Sequence, residues 1–129
     1  MVHHNIYNSW SWVGGHADGD ADFLRVIQKE ISEETRLDKV KLLHDQIFSL
    51  CILTVPSHIK RGKIVNAHLH LDVEYLFEAD ETATTRTKLD ENSGVKWVNI
   101  DEVEKVVNES ETKPIYHRLN QKLLQFFAI

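Results

Sequence analysis

Apolar and polar residues alternate most regularly between Ile64 and Phe77. Ala67, Leu69, Leu71, Val73, Tyr75 and Phe77 take the odd positions, and Asn66, His68, His70, Asp72 and Glu74 the even ones. A period of two predicts a strand with one apolar and one polar face. Ile47 to Val55 is apolar at both parities, which suits a strand covered on both sides, and Pro56 ends it. Met1 to His4 reads as the end of a strand, Ser9 to Val13 as a short second one stopping at Gly14-Gly15, and Lys96 to Val98 as another. Helical spacing runs from about Asp22 to Thr35, with Asp20 or Asp22 as N-cap. It returns in an acidic stretch from Asp101 to about Asn108 and again from Pro114 to Phe127. In that last segment Ile115, Leu119, Leu123, Phe126 and Phe127 form one stripe, and Pro114 suits a first helical turn. The charged, Thr-rich segment from Glu78 to Asn92 is expected to be a surface loop. This order of strands and helices predicts a layered α/β or α+β domain.

Composition narrows the picture. The chain has 129 residues, 42% hydrophobic and 27% charged, which fits one globular domain and excludes a wholly disordered chain. No apolar run is long enough to span a membrane, and no basic-then-apolar segment opens the chain. With a net charge of −5 and no basic stripe, the chain is poorly suited to a nucleic-acid backbone. The single cysteine, Cys51, has no partner for an intramolecular disulfide and is expected to be an inert thiol in an apolar strand. A reducing, cytoplasmic setting is expected.

The helix over Asp22–Thr35 carries the chemistry. Projected at about 100° per residue, Glu30, Glu33 and Glu34 share an arc with Phe23, Val26 and Ile27. Arg25, Gln28, Lys29, Ser32 and Arg36 take the opposite arc. Acidic residues of an ordinary surface helix belong on the solvent side. Three carboxylates at i, i+3 and i+4 repel one another, and desolvating them together is costly unless a cation compensates. Such an oxygen-rich cluster suits a hard divalent ion, Mg²⁺ or Mn²⁺. The alternative is a solvated acidic helix end with Lys29 and Glu33 as an i, i+4 pair.

Gly15-His16-Ala17-Asp18-Gly19-Asp20, followed by Lys29-Glu30-Ile31-Ser32-Glu33-Glu34-Thr35-Arg36-Leu37, resembles the Nudix box. That pattern is G-x5-E-x7-R-E-U-x-E-E-x-G-U, with U apolar. The first Gly, the three Glu of R-E-U-x-E-E and both apolar positions, Ile31 and Leu37, are kept. Three positions depart. Ala21 stands at the first Glu, between Asp20 and Asp22. Lys29 replaces Arg, keeping the charge but losing the bidentate fork. Arg36 replaces the late Gly, at a cost of about 1 kcal/mol if the backbone there is left-handed.

The resemblance implies a Nudix-like α/β/α sandwich with a mixed sheet. It also implies metal-dependent hydrolysis of a diphosphate linkage in a nucleoside diphosphate joined to another moiety. By resemblance Glu30, Glu33 and Glu34 are catalytic metal ligands, one of which helps activate water, and Gly14 offers its carbonyl oxygen. Many members add a Glu from a loop before a late Trp. Glu91, six residues before Trp97, is the candidate, with Glu78, Glu81 and Asp90 competing. The alternative is a Nudix-like nucleotide-binding or sensing module that has lost turnover. The family fold places about one more strand ahead of the segment that opens this chain. Residues 1–129 are therefore expected to form a single domain truncated at its N-terminus, with a free sheet edge that favours a homodimer.

Weaker signals remain. His68 and His70 share the polar strand face with Asp72 and Glu74, and either meet solvent, bind zinc, or line a substrate cavity. Lys60 and Arg61 sit in a basic turn, His58 to Lys63, expected as a solvated hairpin tip or an anion clamp. Tyr7, Trp10 and Trp12 are expected to pack in the core or to stack on a base.

Overall fold

A computed structural model describes residues 1–128. The first strand, β1 (Val2–His4), turns back through Asn5–Asn8 into β2 (Ser9–Ser11). The box helix α1 (Phe23–Thr35) follows, then β3 (Val40–Leu42) and β4 (Ser49–Val55). A hairpin of β5 (His58–Lys60) and β6 (Lys63–Val65) leads into β7 (His68–Glu74), β8 (Phe77–Ala79) and β9 (Asn92–Val95). A 3₁₀ turn at Ile100–Glu102 precedes the short α2 (Val103–Val106), and α3 (Lys113–Phe127) closes the described chain.

Strand β1 is the centre of a three-stranded sheet. It pairs with β2 on one side, with Val2 opposite Ser11, and with β9 on the other, with Val2 opposite Val95. Met1–His4 is thus a strand, as expected, and both its edges are paired. Strands β4 and β7 form a seven-residue ladder from Ser49–Glu74 to Val55–His68. Three residues further on each strand, the same register continues in β5 and β6, with His58 opposite Val65. The hairpin turns at Arg61 (φ 51°) and Gly62 (φ 75°), a pair of positive φ values that matches the twist of the flanking strands. β3 pairs with β8. The α+β class is as expected. The parallel neighbours of a mixed sheet do not occur among the described residues, where every strand pair is antiparallel.

Other boundaries moved. The alternating run from Ile64 to Phe77 is not one strand but parts of β6, β7 and β8, broken at Asn66-Ala67 and Tyr75-Leu76. The strand expected at Lys96–Val98 lies earlier, at β9, although the Lys96 N–H still donates to the Met1 carbonyl at 2.9 Å. The acidic helix is a single short turn pair rather than Asp101–Asn108. In β7 the polar side faces inward: His70, Asp72 and Glu74 are half-buried. The apolar side faces out. Leu50 and Ile52 of β4, with Leu69 and Leu71 of β7, are 62–79% exposed. Both β4 and β7 keep one unpaired edge among the described residues.

The core that holds the front sheet is small. Val103, Val107 and Tyr116 pack with Met1, Trp12 and Val98. The Tyr116 hydroxyl oxygen accepts the Trp12 backbone N–H at 2.8 Å, with the two rings 4.8 Å apart. The fully buried Ser9 accepts the Asn108 N–H through its hydroxyl at 2.9 Å. Helices α2 and α3 therefore fix the strand that runs into Gly14-Gly15. No helix among the described residues is long and apolar enough to cross a membrane.

Candidate metal and catalytic site

Helix α1 begins where its sequence says it should. The Asp22 carboxylate accepts the Arg25 N–H at 3.1 Å and caps the first turn. Asp20 accepts the Asp22 N–H and the Arg25 guanidinium. The helix ends at Arg36, which takes the left-handed conformation (φ 63°, ψ 18°) while its N–H donates to the Ser32 carbonyl. The chain thus keeps the conformation a Gly would favour and places an Arg in it.

Two tethers bring other segments to this helix. The Gly15 Cα lies against the Glu30 carboxylate: a Cβ at Gly15 would fall 2.5 Å from Glu30 Cδ and 2.6 Å from Oε1. At the other end, the Arg86 N–H donates to the carbonyl of Thr35 at 3.0 Å, stitching the loop before β9 to the last turn of α1. Within that loop the Lys88 carbonyl accepts the N–H groups of Glu91 and Asn92, and the Glu91 carbonyl accepts from Asn5. Glu91 is thereby set beside the helix.

The three box carboxylates are not equivalent. Glu34 is 5% exposed, and its Oε2 has no hydrogen-bond partner. Burial, then the neighbouring Glu30 charge, pushes its carboxyl up to about 7. The Gly14 backbone N–H and Lys88 oppose the rise, and Glu91 adds to it. Glu30 is raised by burial first, then by Glu33, with Glu91 contributing and Lys88 opposing. Glu33 instead turns toward solvent and meets Lys29 at 3.8 Å. The i, i+4 pair and the inward acidic cluster thus coexist, divided between neighbouring residues. Of the loop candidates, Glu91 acts on both Glu30 and Glu34, whereas Asp90 acts on Lys88 and Glu78 lies on β8 opposite Lys41.

The orphaned Glu34 oxygen, the adjoining Glu30 carboxylate and the nearby Glu91 form an all-oxygen donor set that fits a hard divalent cation. They are not closely drawn together. Among the described residues, the three-residue group whose donor atoms all lie within 4.8 Å is Cys51, Asp72 and Glu74. The Cys51 group has an internal proton donor: the thiol donates to Glu74 Oε1. Burial, then that hydrogen bond, pushes the thiol up to about 12, which leaves it protonated and inert as expected.

The histidine row meets the box loop at His70, while His68 stays exposed. His16 packs edge-on against His70, ring centres 5.1 Å apart. His68 Nε2 and His70 Nε2 lie 3.1 Å apart, and His68 Nδ1 is 2.7 Å from the Asn66 carbonyl. Burial first, then His16, lowers the His70 pKa. His16 was not singled out by its sequence position, since it falls on a variable position of the box. Lys60 and Arg61 are exposed at the hairpin tip, as expected of a solvated turn, and neither charge acts on Glu30 or Glu34. Trp12 packs in the core, and Trp10 lies under the Lys96 ammonium at 4.2 Å.

A Gly-rich turn thus feeds a helix whose inner face carries neighbouring carboxylates, on an antiparallel α+β scaffold. A family model for the NUDIX domain matches residues 1–119, and the chain belongs to that family. Its enzyme class is that of the Nudix-type pyrophosphohydrolases. The fold resembles the crystal structure of a C. elegans Ap4A hydrolase binary complex, with a TM-score of 0.63 and 18% identity over 98% of this chain and 83% of that one. A comparison with curated protein sequences finds no significant match.

Proposed function

We propose that the chain hydrolyses a diphosphate linkage in a nucleoside diphosphate joined to another moiety, using Mg²⁺ or Mn²⁺. The observation that carries the reading is the buried, unpartnered Glu34 oxygen beside Glu30. A cation between two neighbouring carboxylates, one of them buried, favours their ionised forms. Glu30, Glu34 and Glu91 would hold the ion, with Gly14 offering its carbonyl and Glu33 joining from the helix edge. When bound, the ion neutralises phosphate oxygens and acidifies an attacking water. The proton of that water would pass to one of the box carboxylates, Glu30, Glu33 or Glu34. His16 of the box loop, with His70 edge-on against it and His68 beside His70, would position the anionic substrate; Lys60 and Arg61 would steer it from the hairpin tip.

The likeness to the Ap4A hydrolase places dinucleoside polyphosphates in the substrate panel, beside nucleoside diphosphate sugars, nucleotide cofactors and nucleoside triphosphates. Product release is measured with Mg²⁺, with Mn²⁺ and with chelator, beside Glu34→Gln. Release that needs the ion and is lost in the variant is expected. Release that survives chelation, or none from a folded and metal-binding chain, overturns the reading and favours the binding module. The free edges of β4 and β7 and their exposed leucines and isoleucines support self-association, which sedimentation tests.

A further inference from the structure

Lys88 belongs to no part of the box, yet it is the cation nearest to the acidic cluster in its effects. Its ammonium lies 3.5 Å from Glu91 Oε1, and its side chain is only 30% exposed, against 70% for Lys29. Its charge acts on Glu30 and on Glu34 as well. The backbone of Lys88 is pinned twice, by the Glu91 and Asn92 N–H groups at its carbonyl, and the segment is tied to α1 through Arg86. The ammonium, by contrast, rides on a four-carbon stem with freely rotating donors, so it can leave without moving the loop.

Resting on the metal reading above, we infer that the Lys88 ammonium is the internal counter-cation of the Glu30, Glu34 and Glu91 carboxylates. A divalent ion binds by taking over that role and breaking the Lys88–Glu91 pair. One positive charge only partly compensates the cluster, as the orphaned Glu34 oxygen records. That residual field draws the ion in, and the lysine limits how tightly it is held. Lys29 pairs with the outward Glu33 and acts on Glu30 last among the charges around it, and it does not act on Glu34.

The test is Mn²⁺ titration of the whole chain at low salt, read as loss of the free-ion paramagnetic resonance signal. Lys88→Gln and Lys88→Arg are compared with the parent. Removing the competing charge is expected to tighten Mn²⁺ binding about tenfold in Lys88→Gln and to leave Lys88→Arg close to the parent. In chelator Lys88→Gln melts lower than the parent, and its rise on adding Mn²⁺ is larger. Equal or weaker Mn²⁺ binding by a folded Lys88→Gln overturns the inference while the metal site stands. Absence of Mn²⁺ binding by the parent overturns the metal reading and this inference with it. Should Lys88→Gln misfold, Lys88→Met, which keeps the aliphatic stem, carries the same comparison.

Discussion

Glu34→Gln separates what the carboxylate does for chemistry from what it costs the fold. In the folded chain the Glu34 carboxyl is pushed from 4.5 up to about 7 by burial, then by Glu30. Its ionised form is therefore destabilised by about 3 kcal/mol relative to the unfolded chain. The sign follows from proton binding. Because the folded pKa is raised, the folded state holds the proton more tightly. The contribution to stability is fully present below 4.5 and is lost as pH rises through about 7. Glutamine never ionises and so escapes that loss, while its amide oxygen can still face the Gly14 N–H.

In chelator at about pH 8, Glu34→Gln should be the more stable protein by up to about 3 kcal/mol. For a chain of 129 residues that is a rise of roughly 10 °C in Tm. Near pH 4.5 the two melting curves should converge. With Mg²⁺ the order reverses, since only the parent is stabilised by a bound ion. Turnover should fall by roughly a hundredfold or more, as stability is regained at the expense of an electrostatically strained site. Thermal melts followed by circular dichroism across this pH range, in chelator and with Mg²⁺, check the stability statements, and product release checks the turnover. A variant that melts below the parent in chelator at the alkaline end would refute the reasoning, because the carboxylate would then be a net stabiliser.

Gly15→Ala should push the Glu30 carboxylate aside, because the added Cβ falls 2.5 Å from Glu30 Cδ. Turnover and Mn²⁺ affinity should each drop by about tenfold, with the chelator Tm nearly unchanged, since only the far end of a side chain must move. Arg36→Gly should raise stability in urea unfolding by about 1 kcal/mol, because φ is 63° there and glycine alone adopts it freely. Tyr116→Phe removes the acceptor of the Trp12 N–H in a buried setting and should lower unfolding free energy by about 1–3 kcal/mol; an unchanged midpoint would show that water replaces the hydroxyl.

The box helix was legible nearly to the residue, because a capping carboxylate and a helical period coincide there: Asp22–Thr35 was expected and Phe23–Thr35 is found. Glu30 and Glu34 face inward as their arc requires. Glu33 lies at the edge of that arc, and a lysine four residues earlier decides its direction. Alternation from Ile64 to Phe77 showed that two faces differ, but a period of two does not say which face is covered. It also continues across a change of partner, so the breaks at Asn66-Ala67 and Tyr75-Leu76 left no mark. Asn92-Ser93-Gly94 has poor strand propensity and forms β9 through pairing with β1 alone. Gly94 is needed there, since a Cβ would come within 2.9 Å of Trp10. Lys88 sits in a loop tied to α1 by the Arg86–Thr35 backbone bond, and no side-chain pattern encodes that tie.

The same arrangement explains why a small core suffices to build a demanding site. Glu34 and Glu30 lie on α1, but the other groups that act on Glu34 come from two other segments. The Gly14-Gly15 turn is carried by the strand that Tyr116 anchors through the Trp12 N–H. The Lys88–Glu91 loop is carried by β9 and by the Arg86 bond to Thr35. Strand β1 joins these two carriers, pairing with β2 on one side and β9 on the other. The backbones that carry the carboxylates cannot separate without breaking a bond in that three-stranded sheet or the Arg86–Thr35 tie to α1. A cation entering the site meets a Glu34 carboxylate already desolvated, with Glu30 half-buried beside it and Glu91 nearer solvent. Binding then has side chains but no backbone left to order, which lowers the reorganisation that a phosphoryl-transfer site must undergo.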